Sequence, residues 1–270
     1  MALPALLFQD ISAVDIRKSW NGGFVLFCFI ATFLSITGVT VLSFFVVKRE
    51  ERGEFVQGAY RSSAAILGIA FIQNIYGTSG MAPLMIIGTV PLYNAFAVIV
   101  LSLLKPGQRK MDKALLQKTL KGIVTNPIIL GIAAGFVWAI LKIPQPEILQ
   151  KTVKNMAVLA TPLGLMAMGA SFEGKKALGK LKPTLIASAL KLVVLAAIFL
   201  PIAVWLGYRE SELVAILVML GSATTVSSFV MARNMGHEGV LTSSIVMVTT
   251  LCSAFTLTGW LFLLKTLGLV

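Results

Sequence analysis

The chain has 270 residues, 57% of them hydrophobic, and its formal net charge is +12. A water-soluble fold of this length could not bury so much apolar surface. The composition therefore excludes a soluble globular domain and predicts an all-α polytopic membrane protein. The positive charge does not indicate nucleic-acid binding, because Lys and Arg are divided among short connectors between apolar segments.

Taken in chain order, the apolar segments begin with residues 1–12, which are too few to cross about 30 Å of hydrocarbon. Longer runs follow, and each of them is long enough to span a bilayer. The predicted spans are 24–47, 55–77, 81–104, 122–141, 147–172, 183–206, 211–235 and 240–267.

The distribution of Lys and Arg predicts the orientation of these spans. Connectors 48–54, 105–121 and 173–182 are rich in basic residues, whereas the alternating connectors hold few. Basic connectors are retained on the cytoplasmic side of a membrane. We therefore expect a multi-pass protein of the cell (cytoplasmic) membrane, with its N-terminus inside and its C-terminus outside.

Two predicted spans carry an unusual number of small and hydroxyl residues. Residues 221–236 contain five Ser and Thr side chains after a leading glycine, and residues 58–77 have a similar composition in their first half. Hydrocarbon offers no hydrogen-bond partners for such groups. They are either packing residues between helices or parts of interrupted helices, one in each half of a transporter, that meet at a substrate site.

The chain also carries signs of an internal duplication. The basic connector 105–121 separates residues 1–104 from residues 122–270, and Ala-Leu-Pro-Ala-Leu-Leu at 2–7 resembles Ala-Thr-Pro-Leu-Gly-Leu at 160–165. If these stretches correspond, the first repeat lacks its own first helix. Five spans per repeat is an odd number, so the two repeats are expected to be inverted in the membrane.

Several stretches of the chain resemble a known family, the auxin efflux carriers, in their bacterial branch of organic-anion permeases. The resemblance implies helices arranged as two inverted five-helix repeats, a scaffold domain and a transport domain. It also implies a pair of crossing broken helices that hold the substrate. The stretches that carry it are LPALLF at 3–8, GAYRSSAAILGIAFIQNIYG at 58–77, NPIILGIAAGF at 126–136, ATPLGLMAMGASF at 160–172 and GSATTVSSFVMARNMG at 221–236.

The chain departs from the family pattern at the helix breaks. Members of the family usually place proline there, and this chain has Ala70 and Ala223 at the aligned positions. Proline in a helix costs about 3 kcal/mol and kinks the chain. Without it, we expect the breaks to depend on Gly68, Gly221 and the neighbouring hydroxyl residues.

The polar residues within the spans suit a negatively charged substrate. All acidic residues lie in connectors or at span edges, so no carboxylate is expected at mid-membrane to repel an anion. Hydroxyls, amides and helix N-termini can hold a carboxylate through neutral donors. The predicted substrate-binding residues are Ser62, Ser63, Asn94, Thr224 and Thr225, although an interhelical hydrogen bond is the alternative for Asn94.

Two basic residues within the spans have an alternative interpretation. Arg61 could draw anions toward the site, but we favour a side chain that reaches the membrane edge. Lys191 lies deeper in its span, and its long stem could reach the interface as well.

The function expected from these features is secondary transport of small organic anions, mono- or dicarboxylates, by alternating access. The alternative is a truncated or accessory membrane protein of the same fold that does not transport. An enzyme is not expected, because the sequence has no zinc-protease motif, no paired aspartates within a span and no serine–histidine pairing within a span. Cys28 and Cys252 lack metal-like spacing, and without a P-loop ATP-driven transport is not expected either. We expect no metal, no cofactor and no nucleic acid. The expected partners are the organic anion and the lipid bilayer. The sequence leaves open whether a proton or sodium ion is the coupling ion and whether the protein forms a homodimer.

Overall fold

The computed structural model describes residues 2–12, 21–77, 80–106, 125, 127–141 and 143–270. Over these ranges the chain forms helices joined by turns and contains no strand, which confirms the all-α prediction. The helices are α1 (Ala2–Ser12), α2 (Gly22–Val46), α3 (Arg52–Tyr60), α4 (Ala64–Tyr76), α5 (Ala82–Leu103), α6 (Pro127–Leu141), α7 (Glu147–Val158), α8 (Ala160–Ala170), α9 (Gly174–Gly179), α10 (Leu181–Ala189), α11 (Leu195–Trp205), α12 (Glu210–Gly221), α13 (Ser227–Asn234) and α14 (Val240–Thr266).

Five helical stretches of the described residues are long and apolar enough to cross a membrane by themselves. They are Gly22–Val46, Ala82–Leu103, Glu147–Ala170, Leu181–Trp205 and Val240–Thr266. Large apolar side chains such as Phe45, Trp205 and Phe255 are more than four-fifths exposed, as expected where the solvent is lipid. The chain is therefore a multi-pass membrane protein, as predicted.

Two other predicted spans each form a pair of shorter helices separated by non-helical residues. Span 55–77 consists of α3 and α4, with the first interruption at residues 61–63, and span 211–235 consists of α12 and α13, with the second interruption at residues 222–226. In neither span does a single helix run through the membrane.

The predicted position of the first break was wrong. Gly68 and Ala70 lie inside α4, and the helix is interrupted several residues earlier. A glycine in a membrane helix keeps its backbone hydrogen bonds, so its presence alone does not open the helix. In the other span, Gly221 is the last residue of α12 and Ala223 lies within the second interruption.

The helices pack as two groups. The larger bundle contains α2–α5 and α9–α14, and most of its members share one apolar core. In the smaller bundle α1 packs against α6, α7 and α8, and this bundle contacts the larger one along α5 and α13. The boundary between the two groups places an open space beside both interruptions.

The predicted repeat boundaries remain a prediction. Most of the connector 105–121 lies outside the described residues, as do residues 122–124 of the fourth predicted span. The division into repeats 1–104 and 122–270 is therefore not tested by the helices that are described.

Candidate functional site

The two interruptions contact each other directly, and we call this contact the crossing. The backbone N–H of Ser63 donates to the carbonyl oxygen of Ala223 at 3.0 Å. The hydroxyl of Thr224 donates to the carbonyl oxygen of Gly58 at 2.7 Å, and the N–H of Thr224 donates to the Thr249 hydroxyl at 3.1 Å. Backbone groups that left their own helices therefore find partners on the other interrupted span or on α14, as hydrocarbon requires.

Side chains from two other segments meet at the C-terminal end of α12. The carbonyl oxygen of Met219 accepts hydrogen bonds from the hydroxyls of Ser62 and Tyr93, the latter at 2.9 Å. Carbonyl groups in the last turn of a helix lack intrahelical donors. Side chains from the first interruption and from α5 satisfy one of them here, which fixes α12 against the other two segments.

Both interrupted spans resume as helices next to the crossing. α4 begins at Ala64 and α13 begins at Ser227. The first N–H groups of a helix are unpaired within it, and this end carries a partial positive charge. At α13 the N–H groups of Ser228 and Phe229 bond to the carbonyl oxygens of Thr225 and Val226, so this helix end offers an anion mainly its partial positive charge.

A cavity of about 620 Å³ lies beside the crossing, between the larger and the smaller bundle. Most of its polar lining comes from both interruptions, α5 and α13, and its opposite wall consists of residues of α1, α6 and α8, of which Thr161 is polar. The polar side chains that line it are Arg61, Ser62, Ser63, Tyr93, Asn94, Thr161, Thr225, Ser227 and Asn234.

Arg61 supplies a positive charge to this cavity. Its side chain is 2% exposed, and its guanidinium donates to the Asn94 side-chain oxygen and contacts the Met231 sulfur. No carboxylate of the described residues forms an ion pair with it. The preferred interpretation from the sequence, a side chain reaching the membrane edge, was therefore wrong.

Asn94 holds this guanidinium in place. Its amide nitrogen donates to the Val90 carbonyl oxygen at 2.8 Å, one turn earlier in α5, while its oxygen accepts from Arg61. Both ends of the amide are thus used, and the side chain is 1% exposed. Asn94 therefore makes an interhelical hydrogen bond, the alternative interpretation from the sequence, and also lines the cavity, while its role in substrate binding stays a prediction.

The other predicted site residues divide into two kinds. Ser62, Ser63 and Thr225 line the cavity together with Asn94. Thr224 is not among the lining residues, because its hydroxyl points to Gly58 and holds the crossing together. Ser227 was not predicted as a site residue, although it belongs to the same run of hydroxyl residues and lies 3.2 Å from Thr225, oxygen to oxygen.

Comparison with known proteins identifies a relative and a family of this chain. The chain is 26% identical to a protein of Rhizobium meliloti (strain 1021) named "Putative malonate transporter", in an alignment 276 positions long that covers 98% of this chain and 84% of the relative. The family described as "Membrane transport protein" matches residues 1–261, nearly the whole chain. The chain therefore belongs to this family of membrane transport proteins, the auxin efflux carrier family that its motifs resemble.

Proposed function

We propose that this transport protein is a secondary transporter of small organic anions, mono- or dicarboxylates, in the cytoplasmic membrane. The observation that carries the proposal is the buried guanidinium of Arg61, which has no carboxylate partner among the described residues and faces a cavity. A buried charge without a counter-ion is costly. An anionic substrate would supply that counter-ion, and the relative named as a malonate transporter is consistent with a small dicarboxylate.

The remaining donors around the cavity suit a carboxylate. Ser63 and Thr225, just before α4 and α13, and Ser227, the first residue of α13, carry half-buried hydroxyls. A carboxylate that lies between them would accept hydrogen bonds from these hydroxyl groups while Arg61 neutralises its charge. A cavity of about 620 Å³ is also large enough for a ligand of a few carbon atoms with bound water.

The position of the cavity suggests how access alternates. It lies between two packed groups of helices, and the polar residues are concentrated on the larger bundle. Movement of the smaller bundle against the crossing would open the cavity first to one side of the membrane and then to the other. The energy would come from a substrate or ion gradient.

The experiment that tests the proposal is counterflow in proteoliposomes with labelled malonate, malate, succinate and indole-acetate. We expect exchange of at least one of these anions by the wild-type protein, and a loss of at least about tenfold in Arg61→Gln, equivalent to roughly 1.4 kcal/mol. Arg233→Gln is the matched control, because Arg233 is exposed and does not line the cavity.

Two results would count against the proposal. Exchange at the wild-type rate by folded Arg61→Gln would remove Arg61 from the substrate site. Absence of exchange by folded wild-type protein with every anion would favour the alternative of a membrane protein that keeps the fold without transport.

A further inference from the structure

Lys191 is a fully buried lysine that the proposed anion site does not use. It lies in the π-helical turn Leu190–Val194 between α10 and α11, where the N–H of Leu195 bonds to the Leu190 carbonyl oxygen. Its side chain is 0% exposed. The sequence-based interpretation, a stem that reaches the membrane interface, does not hold. π-Helical turns occur frequently at functional sites.

The ammonium group of Lys191 is surrounded by uncharged oxygen atoms. It donates to the Ser62 hydroxyl, to the Leu220 carbonyl oxygen at 2.6 Å and, more weakly, to the Met219 carbonyl oxygen at 3.3 Å. No carboxylate of the described residues forms an ion pair with it. The three acceptors match the three donors of an ammonium group, so a protonated Lys191 is held by neutral oxygens alone.

These oxygens are available because α12 ends here. In a continuous helix the Leu220 carbonyl would accept from the N–H of Thr224, but that N–H donates to the Thr249 hydroxyl instead. The last carbonyls of a helix also carry a partial negative charge, which favours a cation beside them. Unwound carbonyls and the C-terminal ends of half-helices are the groups that coordinate Na⁺ in transporters with broken helices.

We propose that Lys191 is a built-in cation of this transporter. Its ammonium occupies the position between Ser62 and the end of α12 that a coupling metal ion would otherwise take, and it links the first interruption to the last turn of α12. Anion transport by this chain therefore needs no Na⁺. The part of the inference that concerns transport rests on the proposed function, whereas the cation position itself can be tested without transport.

The test of the cation position is thermal unfolding of purified protein in detergent, in NaCl and in choline chloride of equal ionic strength. Lys191→Ser removes the ammonium and adds a hydroxyl oxygen, so Na⁺ can enter the vacated position. We expect the unfolding temperature of this variant to be at least about 2 °C higher in NaCl than in choline chloride, because a ligand that binds only the folded state stabilises it. Wild-type protein and Lys191→Met, which fills the space without charge, should unfold at the same temperature in both salts. Lys182→Ser, at an exposed position of α10, is the matched control.

The test of the transport role is counterflow in the same two salts. We expect equal wild-type rates with and without Na⁺, and a loss of at least about tenfold in Lys191→Met that Na⁺ does not restore. A wild-type protein that is specifically stabilised by Na⁺, or that exchanges anions only in Na⁺, would overturn the inference, and so would a folded Lys191→Ser that responds equally to both salts.

The two proposals fail in different ways. Wild-type protein without counterflow activity would contradict the proposed function, while the Na⁺ response of Lys191→Ser would still decide the cation position. If Lys191→Ser does not fold, the comparison of wild-type protein with Lys191→Met decides the inference. The inference is supported if wild-type exchange is independent of Na⁺ and Lys191→Met abolishes it. The inference is rejected if wild-type exchange depends on Na⁺.

Discussion

The backbone N–H of Ser63 lies 3.0 Å from the carbonyl oxygen of Ala223, and this hydrogen bond joins the two interrupted helices main chain to main chain. Each interruption supplies the partner that the other has lost, so neither can be described as a local defect of its own helix.

Thr224 and Thr225 are neighbours with different expected roles. Thr224→Val removes the hydroxyl that bonds to the Gly58 carbonyl at 2.7 Å, and leaving a buried acceptor unpaired costs about 1–3 kcal/mol. We therefore expect a lower unfolding temperature in detergent. Thr225→Val, at a half-buried position of the cavity lining, should change stability by less than about 0.5 kcal/mol but reduce counterflow.

Each of these two variants is the control for the other. Both are measured by thermal unfolding and by anion counterflow, at equal amounts of folded protein. Equal stability of the two variants would show that the Thr224 hydroxyl does not hold the crossing, and an unchanged exchange rate in Thr225→Val would exclude its hydroxyl from the substrate site.

A substitution at Asn94 can neutralise the charge of Arg61 while the arginine itself stays in place. Asn94→Asp places a carboxylate where the amide oxygen now accepts from the guanidinium. The resulting ion pair would cancel the positive charge and repel an anionic substrate. We expect counterflow to fall at least about tenfold, while the protein remains folded.

The matched control for Asn94→Asp is Asn155→Asp. Asn155 lies at an exposed position of α7 and is not part of the cavity lining, so the same chemical change there should leave exchange unaltered. Wild-type exchange by Asn94→Asp would contradict the role of the Arg61 and Asn94 pair in binding the anion.

Much of the fold could be predicted from apolar run length alone. Spans 24–47 and 240–267, for example, agree with α2 and α14 within a few residues, because a bilayer requires about 20 apolar residues per helix. The second interruption was also predicted near its observed place, since hydroxyl residues and Gly221 cluster there. In such cases the local sequence and the surrounding membrane favour the same structure.

The first interruption shows why the rest could not be predicted. The helix is interrupted at residues 61–63, where the N–H of Ser63 bonds to the carbonyl oxygen of Ala223, a residue distant in the sequence. A glycine such as Gly68 does not indicate where such a distant partner will lie. The depths of Arg61 and Lys191 depend in the same way on acceptors supplied by Asn94 and Leu220. Composition and periodicity describe one helix at a time and do not contain these partners.

Gly58 is expected to be required for the approach of α3 to α14. A Cβ atom at this position would lie 2.6 Å from Cδ1 and 3.2 Å from Cγ2 of Ile245. Overpacking of this kind typically costs about 1–3 kcal/mol, so Gly58→Ala should lower the unfolding temperature. Adding Ile245→Val removes the nearest atom and should restore part of the loss, with a coupling of at least about 0.5 kcal/mol in a double-mutant cycle.

Gly38→Ala is the control for the helix propensity of alanine. Gly38 lies in α2, and within the described part of the chain no neighbouring side chain comes within 4 Å of the place that an alanine methyl group would take. Alanine there should leave stability unchanged or raise it by up to about 1 kcal/mol. Additive effects of Gly58→Ala and Ile245→Val would show that the two positions are not in contact.

Glu54 is expected to stabilise the start of α14. Its carboxylate is 2% exposed and accepts from the N–H groups of Gly239 at 2.8 Å and Thr242 at 2.9 Å, and from the Thr242 hydroxyl at 3.0 Å. In Glu54→Gln one acceptor becomes an NH₂ group that faces a donor, and the favourable interaction with the helix N-terminus is lost. The expected loss is about 1–3 kcal/mol, seen as a lower unfolding temperature in detergent.

The same substitution at an exposed glutamate tests whether charge alone explains the loss. Glu50 lies just before α3 and is exposed, so Glu50→Gln changes the net charge equally and should alter stability by less than about 0.5 kcal/mol. If both variants lose the same stability, the effect comes from net charge rather than from the hydrogen bonds of Glu54. A loss confined to Glu54→Gln would instead establish that α3 carries the N-terminal partner of α14, and thereby holds the segment before the first interruption in place.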